Sequence, residues 1–278
     1  SGGRKITLGG LRGGHSGLNI HENRGNAIKI LTRVLLAVSE EIDLRLVEIN
    51  GGSMRNAIPR EAEAKVVIAK TDGRKFKKMV DTFLGRILAD ELAGIDDGFE
   101  WKVSTVQAPR CFSLATSAGT LRLLTAIPNG VTAMSQDIAG LVETSTNLGV
   151  VATKGSKVRI VCCSRSSIMP SLENLVAQHK AIGEMAGAEV EQPEGYPGWK
   201  PNMKSKLLAV TQKKYKTAFG SDAELLAIHA GLECGLLTEK YPDLDIVSFG
   251  PNIRGAHSPD EKVQISSVQK IWKLFAAT

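Results

Sequence analysis

The sequence predicts a mixed α/β protein of the α+β type: two α+β lobes in tandem, then an incomplete α/β segment. Three observations predict it. Runs with a period of two alternate with runs at helical spacing in the order β-α-β-β-α-β over about residues 1–107. A degenerate copy of that order follows over about 108–195. Composition then shifts at 192–202, a stretch rich in Pro, Gly and aromatics, and only one convincing strand comes after it, over 196–278.

Arg4–Leu8 alternates as a short strand and is followed by the glycine-rich turn at 9–14. From Asn23 to Val38, Ala27, Ile30, Leu31, Val34, Leu35 and Val38 share one helix face. Asp43–Ile49 reads as a strand. Ala57–Ala69 continues as a strand after Pro59, with Ala62, Ala64, Val66 and Ile68 on one face. Asp72 is placed to cap a helix carrying Phe76, Val80, Leu84 and Ile87, and Phe99–Val106 closes the pattern as a strand. This order is ferredoxin-like. In the second stretch Ser117–Ile127 reads as a helix, Gly140–Val151 and Lys157–Ser164 as strands, Ser171–Met185 as a helix capped by Ser171, and Ala188–Gln192 as a short strand. Beyond the shift come helices at Ser205–Phe219 and Glu224–Cys234, a buried strand at Leu244–Phe249, a loop with a histidine, and a last helix at Ser266–Phe275.

The chain has 278 residues, 42% hydrophobic and 23% charged, enough for a sizeable core. No apolar run reaches the roughly 18 residues of a membrane span. Ser1–Lys5 lack the apolar stretch of a signal peptide and read as an internal cut. The net charge of +6 is spread along the chain, and its densest clusters, Lys75-Lys77-Lys78 and Lys213-Lys214-Lys216, fit solvated helix faces; no nucleic-acid partner is expected. Cys111, Cys162, Cys163 and Cys234 fit neither a disulfide framework nor a metal motif. Cys162 and Cys163 point to opposite faces of a strand, as free thiols in a reducing cytoplasm.

Four motifs carry candidate chemistry. In the loop 250–261, His257 follows a strand, where α/β proteins bind ligands, and a neutral imidazole there can bind zinc; by residue type it is equally a turn histidine. Gly13-Gly14-His15-Ser16-Gly17 leaves an imidazole exposed to donate to an oxyanion, or is an ordinary glycine turn. Asn56 stands at the mouth of a strand, or forms an Asx turn before Pro59. Arg165 ends a strand with a guanidinium able to grip a carboxylate, or is a surface arginine.

Taken in order, GGLRGGHSG…RGNA, INGGSMRNAIPREA, ETSTNLGVV, EGYPGWKPN, AIHAGLECG and SFGPNIRGAHSPDE resemble the aminoacyl-histidine dipeptidases of the M20 metallopeptidase family, over nearly the whole chain from about Arg4. The resemblance implies two ferredoxin-like lid lobes followed by the C-terminal segment of a split α/β zinc-peptidase domain. It implies a lid and dimerisation domain at 1–195 (lobes about 1–107 and 108–195) and the C-terminal part of the catalytic domain at 196–278. The family's H-x-D and Glu-Glu pair do not occur ahead of His15, and Glu40-Glu41 reads as a solvated charge pair. Most zinc ligands are therefore expected to be missing. The resemblance implies that His257 is a zinc ligand, that His15 is the lid histidine that stabilises the oxyanion, and that Asn56, Arg165 and Glu233 contact substrate, with Arg165 on its C-terminal carboxylate. It also points to His229, in the stretch near the active site, and to Asn147. The implied cofactor is zinc, two ions in an intact enzyme. The implied partners are Xaa-His dipeptides and a second copy in a homodimer. The competing readings are a lid and dimerisation module with no activity of its own and an unrelated α+β binding protein.

Overall fold

The computed structural model describes residues 2–108, 110–136, 138–195, 197–199, 202–225, 233–254 and 261–278. The chain divides into two compact units, residues 1–194 with 228–230, and residues 195–227 with 231–278.

The first unit contains β1 (Gly2–Gly9), β2 (Gly14–His15), α1 (Ala27–Ser39), β3 (Arg45–Gly51), β4 (Ala57–Ile58), β5 (Ala62–Ile68), α2 (Gly73–Ile87) and β6 (Glu100–Thr105). There follow α3 (Leu114–Ala126), β7 (Gly130–Met134), β8 (Val142–Lys154), β9 (Lys157–Ser166) and α4 (Met169–Met185). A seven-stranded antiparallel sheet runs β6-β1-β5-β3-β8-β7, with β9 on the other edge of β8. Its first four strands have the ferredoxin-like arrangement.

The two halves share this sheet and are not separate lobes. Asn50 pairs with Ala152 and Gly51 with Val151. Thr153 reinforces the seam: its Oγ1 accepts from Ile49 N–H at 2.8 Å and its N–H donates to Asn50 Oδ1 at 2.9 Å. The second half is a three-stranded meander flanked by two helices, without the split β-α-β unit of the first, and Ala188–Gln192 forms no strand.

The core follows from alternation. Ala62, Ala64, Val66 and Ile68 of β5 point inward, while Lys65 on the outer face pairs with Glu48 at 2.8 Å. Phe76, Val80 and Leu84 of α2 and Ile28, Leu31 and Leu35 of α1 pack on the inner side with Leu121, Leu124 and Leu148. Lys29 ties α1 to α3: its Nζ donates to the carbonyls of Leu124, Thr125 and Ile127 at 2.8–2.9 Å. Burial pushes this ammonium down to about 8, so it is still charged at neutral pH, where the helix C-terminus favours a cation. Cys162 packs against the core and its thiol is pushed up to about 12, chiefly by burial.

Two expected caps are corrected. Asp72 makes no capping bond, because the chain enters α2 through a 3-10 turn at Lys70–Asp72. Ser171 lies inside α4, which begins at Met169 with Pro170 in its first turn, a position that needs no N–H donor.

The second unit contains α5 (Lys206–Phe219), α6 (Glu233–Lys240), the pair β10 (Ile253–Arg254) and β11 (Lys262–Val263), and α7 (Ile265–Ala277). Ser205 caps α5 by accepting from Leu208 N–H at 2.9 Å. The expected buried strand at Leu244–Phe249 is absent, and Leu244 and Phe249 are exposed. A doubly buried strand needs neighbours on both edges, and the only ladder described in this unit is two residues long. Most of the expected helix at Glu224–Cys234 lies outside the described residues, and α6 starts where it was expected to end.

Candidate substrate-binding face

His15 lies in β2, paired with Ala57 of β4, so the glycine turn and the Asn56 segment form one two-stranded ribbon. Ser16 N–H donates to the Asn56 carbonyl at 2.8 Å. The backbone then turns tightly: Leu18 N–H and Asn19 N–H both donate to the His15 carbonyl, at 3.1 and 2.9 Å. Gly17 N–H donates to His15 Nδ1 at 3.2 Å. An Nδ1 that accepts leaves the proton of a neutral imidazole on Nε2, which makes Nε2–H the ring's donor.

The loop is anchored at its base by Asp96, which is fully buried. Asp96 Oδ1 accepts from Arg12 N–H at 2.6 Å and Oδ2 from Gly25 N–H at 2.7 Å, so one carboxylate holds both ends of the loop. Asn26 accepts from Ile28 and Lys29 N–H as the cap of α1, and its Nδ2 donates to the Leu148 carbonyl at 3.0 Å. That bond brings the end of the loop to β8.

On β8 and β9, paired residues share a face. Thr146 and Ser164 bond through their hydroxyls at 3.0 Å, on the side where Thr146 also meets His179 Nε2 of α4 at 3.1 Å. The opposite face therefore carries Ser145 with Arg165 and Asn147 with Cys163. Across it lies the Asn56 segment: Asn147 Nδ2 donates to the carbonyls of Arg55 at 3.0 Å and Ala57 at 2.8 Å. Gly149 permits this approach, since a Cβ there would stand 2.6 Å from the Arg55 carbonyl oxygen. Arg165 sits one same-face position further along, about 7 Å away.

The ribbon that carries His15 and Asn56 thus lies against the sheet face that carries Asn147 and Arg165. Ser16 Oγ, Asn147 Oδ1 and Arg165 Nε are buried and find no partner among the described residues. Buried polar groups are normally satisfied, so these three atoms leave hydrogen-bonding capacity that a water or a polar ligand can fill. An imidazole N–H, a guanidinium and amides together can bind an anionic, hydrogen-bonding molecule and stabilise negative charge that develops on it.

Glu233 stands exposed at the first residue of α6, in the second unit. His257 and His229 lie outside the described residues. Among the described residues no three His, Cys, Asp or Glu side chains are grouped to hold a metal ion, so the described residues do not by themselves form the zinc site that the resemblance implies. Sequence reasoning missed Asp96, Asn19, Glu22 and Arg24; the only local signal was that Arg24 and Gly25 fall in the RGNA motif.

Residues 6–93, which include the glycine loop with His15, match the M20 peptidase dimerisation domain family. Residues 6–93 thus carry an M20 peptidase dimerisation domain. The chain is 43% identical over 272 residues to the cytosol non-specific dipeptidase of Escherichia coli (strain K12), covering 98% of this chain and 56% of that protein. It also matches the crystal structure of the aminoacylhistidine dipeptidase from Vibrio alginolyticus at 41% identity, with a TM-score of 0.89, over 99% of this chain and 56% of that one. The chain therefore spans about half the length of the relatives it matches. Among the described residues no helix is long and apolar enough to cross a membrane.

Proposed function

We propose that the chain supplies the lid and dimerisation domain (residues 1–195) and the C-terminal part of the catalytic domain (196–278) of a cytoplasmic, zinc-dependent dipeptidase that works as a homodimer. Its substrates are dipeptides, including those with a C-terminal histidine. The reading is carried by one observation, the packing of the ribbon that bears His15 and Asn56 against the sheet face that bears Asn147 and Arg165. The likeness to two proteins named as dipeptidases supports it.

In this reading Arg165 holds the C-terminal carboxylate through its guanidinium, and Asn56 orients the peptide. His15 Nε2–H donates to the oxygen on which charge develops as the amide carbonyl is attacked. His257 is the one candidate zinc ligand of this chain. Zinc sites commonly use about four ligands, so the chain by itself is a lid module that hydrolyses nothing.

The test is a comparison of a Xaa-His dipeptide with its C-terminal amide, in the full-length enzyme and its Arg165→Met variant. The variant should raise KM for the free dipeptide about 10- to 100-fold, the loss of a charge-assisted bond, and change it little for the amide. Equal effects on both substrates would remove Arg165 from the carboxylate.

A further inference from the structure

We propose that Glu22, acting through Asn19 and Arg24, is a positioning residue that holds His15 as the Nε2–H tautomer. The inference rests on the reading of His15 as a donor to substrate, but the clamp itself is a feature of the loop.

The clamp is a closed circuit of hydrogen bonds. His15 N–H donates to Asn19 Oδ1 at 3.0 Å. Asn19 Nδ2 donates to Glu22 Oε1 at 2.6 Å. Glu22 Oε2 accepts from Arg24 Nε at 2.8 Å and pairs with its Nη2 at 2.6 Å. Arg24 Nη1 then donates to the Gly13 carbonyl. The circuit thus starts and ends on the two peptide groups that flank Gly14. Asn23, in the left-handed region at φ 54°, makes the sharp turn that sets Glu22 and Arg24 side by side.

Gly14 has φ +142°, and a Cβ there would lie 2.6 Å from Arg24 Nη1 and 2.7 Å from Asn19 Oδ1. The glycine of the motif and the clamp therefore require each other. Glu22 is the hub, since its two oxygens join the amide to the guanidinium. The Asn19 amide first, and then Arg24, hold its carboxyl below the usual carboxylate range. The Arg24 side chain is 14% exposed and that of Glu22 33%.

The consequence reaches the ring. With the His15 backbone fixed and its carbonyl closed onto Leu18 and Asn19, Gly17 N–H is aimed at Nδ1. If Glu22 is removed, the Asn19 amide can rotate and, among the described residues, Arg24 keeps its bond to Gly13 alone. The turn then loosens and the Gly17 bond is no longer enforced. The RGNA motif thereby gains a role: Arg24 closes the circuit, Gly25 is fixed on Asp96, and Asn26 starts the helix.

The test uses nitrogen-15 NMR of the histidine rings in this 278-residue chain, with the His15 signals assigned through His15→Gln. The wild-type chain should show a single Nε2–H tautomer at His15. Glu22→Ala should give a mixture of tautomers and lower amide protection at His15 and Gly17, while Leu46 N–H in the sheet stays protected. Glu22→Gln, which keeps an acceptor for Asn19, should restore most of the wild-type signal. If Glu22→Ala does not fold, Arg24→Lys, which keeps the charge but lacks the fork, serves as the same test. An unchanged His15 tautomer in the folded variant overturns the proposal.

In the full-length enzyme Glu22→Ala should lower kcat about 10- to 100-fold with little change in KM, as loss of an orienting partner does. A shifted tautomer beside a normal rate in both Glu22→Ala and His15→Ala would uphold the clamp and remove the donor reading. A wild-type tautomer in Glu22→Ala beside a slow His15→Ala would do the reverse.

Discussion

The two units of the chain solve the burial problem to very different degrees. The first closes a continuous core from α1, α2, α3 and the sheet, with Phe76, Ile28, Leu31 and Leu46 fully buried. In the second, Leu274 is the one large aliphatic side chain that is buried among the described residues. On its last helix Ile265 is 80% exposed, Trp272 69% and Phe275 63%. Composition does not separate them, since both halves carry amphipathic helices. The difference is that the first unit has a sheet to pack on and the second has a two-residue ladder. An apolar helix face stabilises a fold only when another layer covers it.

This contrast can be broken by two matched truncations in this chain. Phe76→Ala should cost about 3–5 kcal/mol, from lost burial plus the cavity left behind. Trp272→Ala should stay within about 0.5 kcal/mol, because most of its ring already meets water. Chemical denaturation of both variants decides it. A Trp272 cost as large as that of Phe76 would mean that the second unit has a core of its own.

A smaller effect sharpens the picture of the first unit. Burial holds His179 below the ordinary histidine range, so the fold takes up a proton there at lower pH than the unfolded chain does. As the pH falls through about 6.5, the unfolded chain gains this proton before the folded chain does. Stability is then lost towards acid, with a slope of at most about 1.4 kcal/mol per pH unit from this one group. His179→Gln should remove that contribution. Denaturation midpoints between pH 7 and 5 should fall less in the variant than in the wild type, and equal slopes would show that His179 does not titrate differently on folding.

Much of this was legible in the sequence, and the gaps have physical causes. Helical spacing gave α1, and alternation gave the inner face of β5, because each pattern reports burial on one side. The strand β7 was missed: Gly130–Met134 is short, and its pairing with β8 is irregular, so it carries little alternation. Leu244–Phe249 has the composition of a strand, but strand formation depends on neighbours that a local reading cannot see. The glycines around His15 marked the loop. Its supports did not show, because Asp96 is 84 residues from Arg12 in sequence and 71 from Gly25, and the clamp exists only once the turn brings Asn19, Glu22 and Arg24 together.

The most direct test of the account is His15→Ala in the full-length enzyme, with steady-state kinetics beside elemental analysis of zinc. A donor that acts mainly in the transition state predicts a fall in kcat of about 10²–10³, a smaller change in KM, and unchanged metal content. A His15→Ala enzyme that turns over at the wild-type rate would contradict it and reduce the loop to a glycine turn.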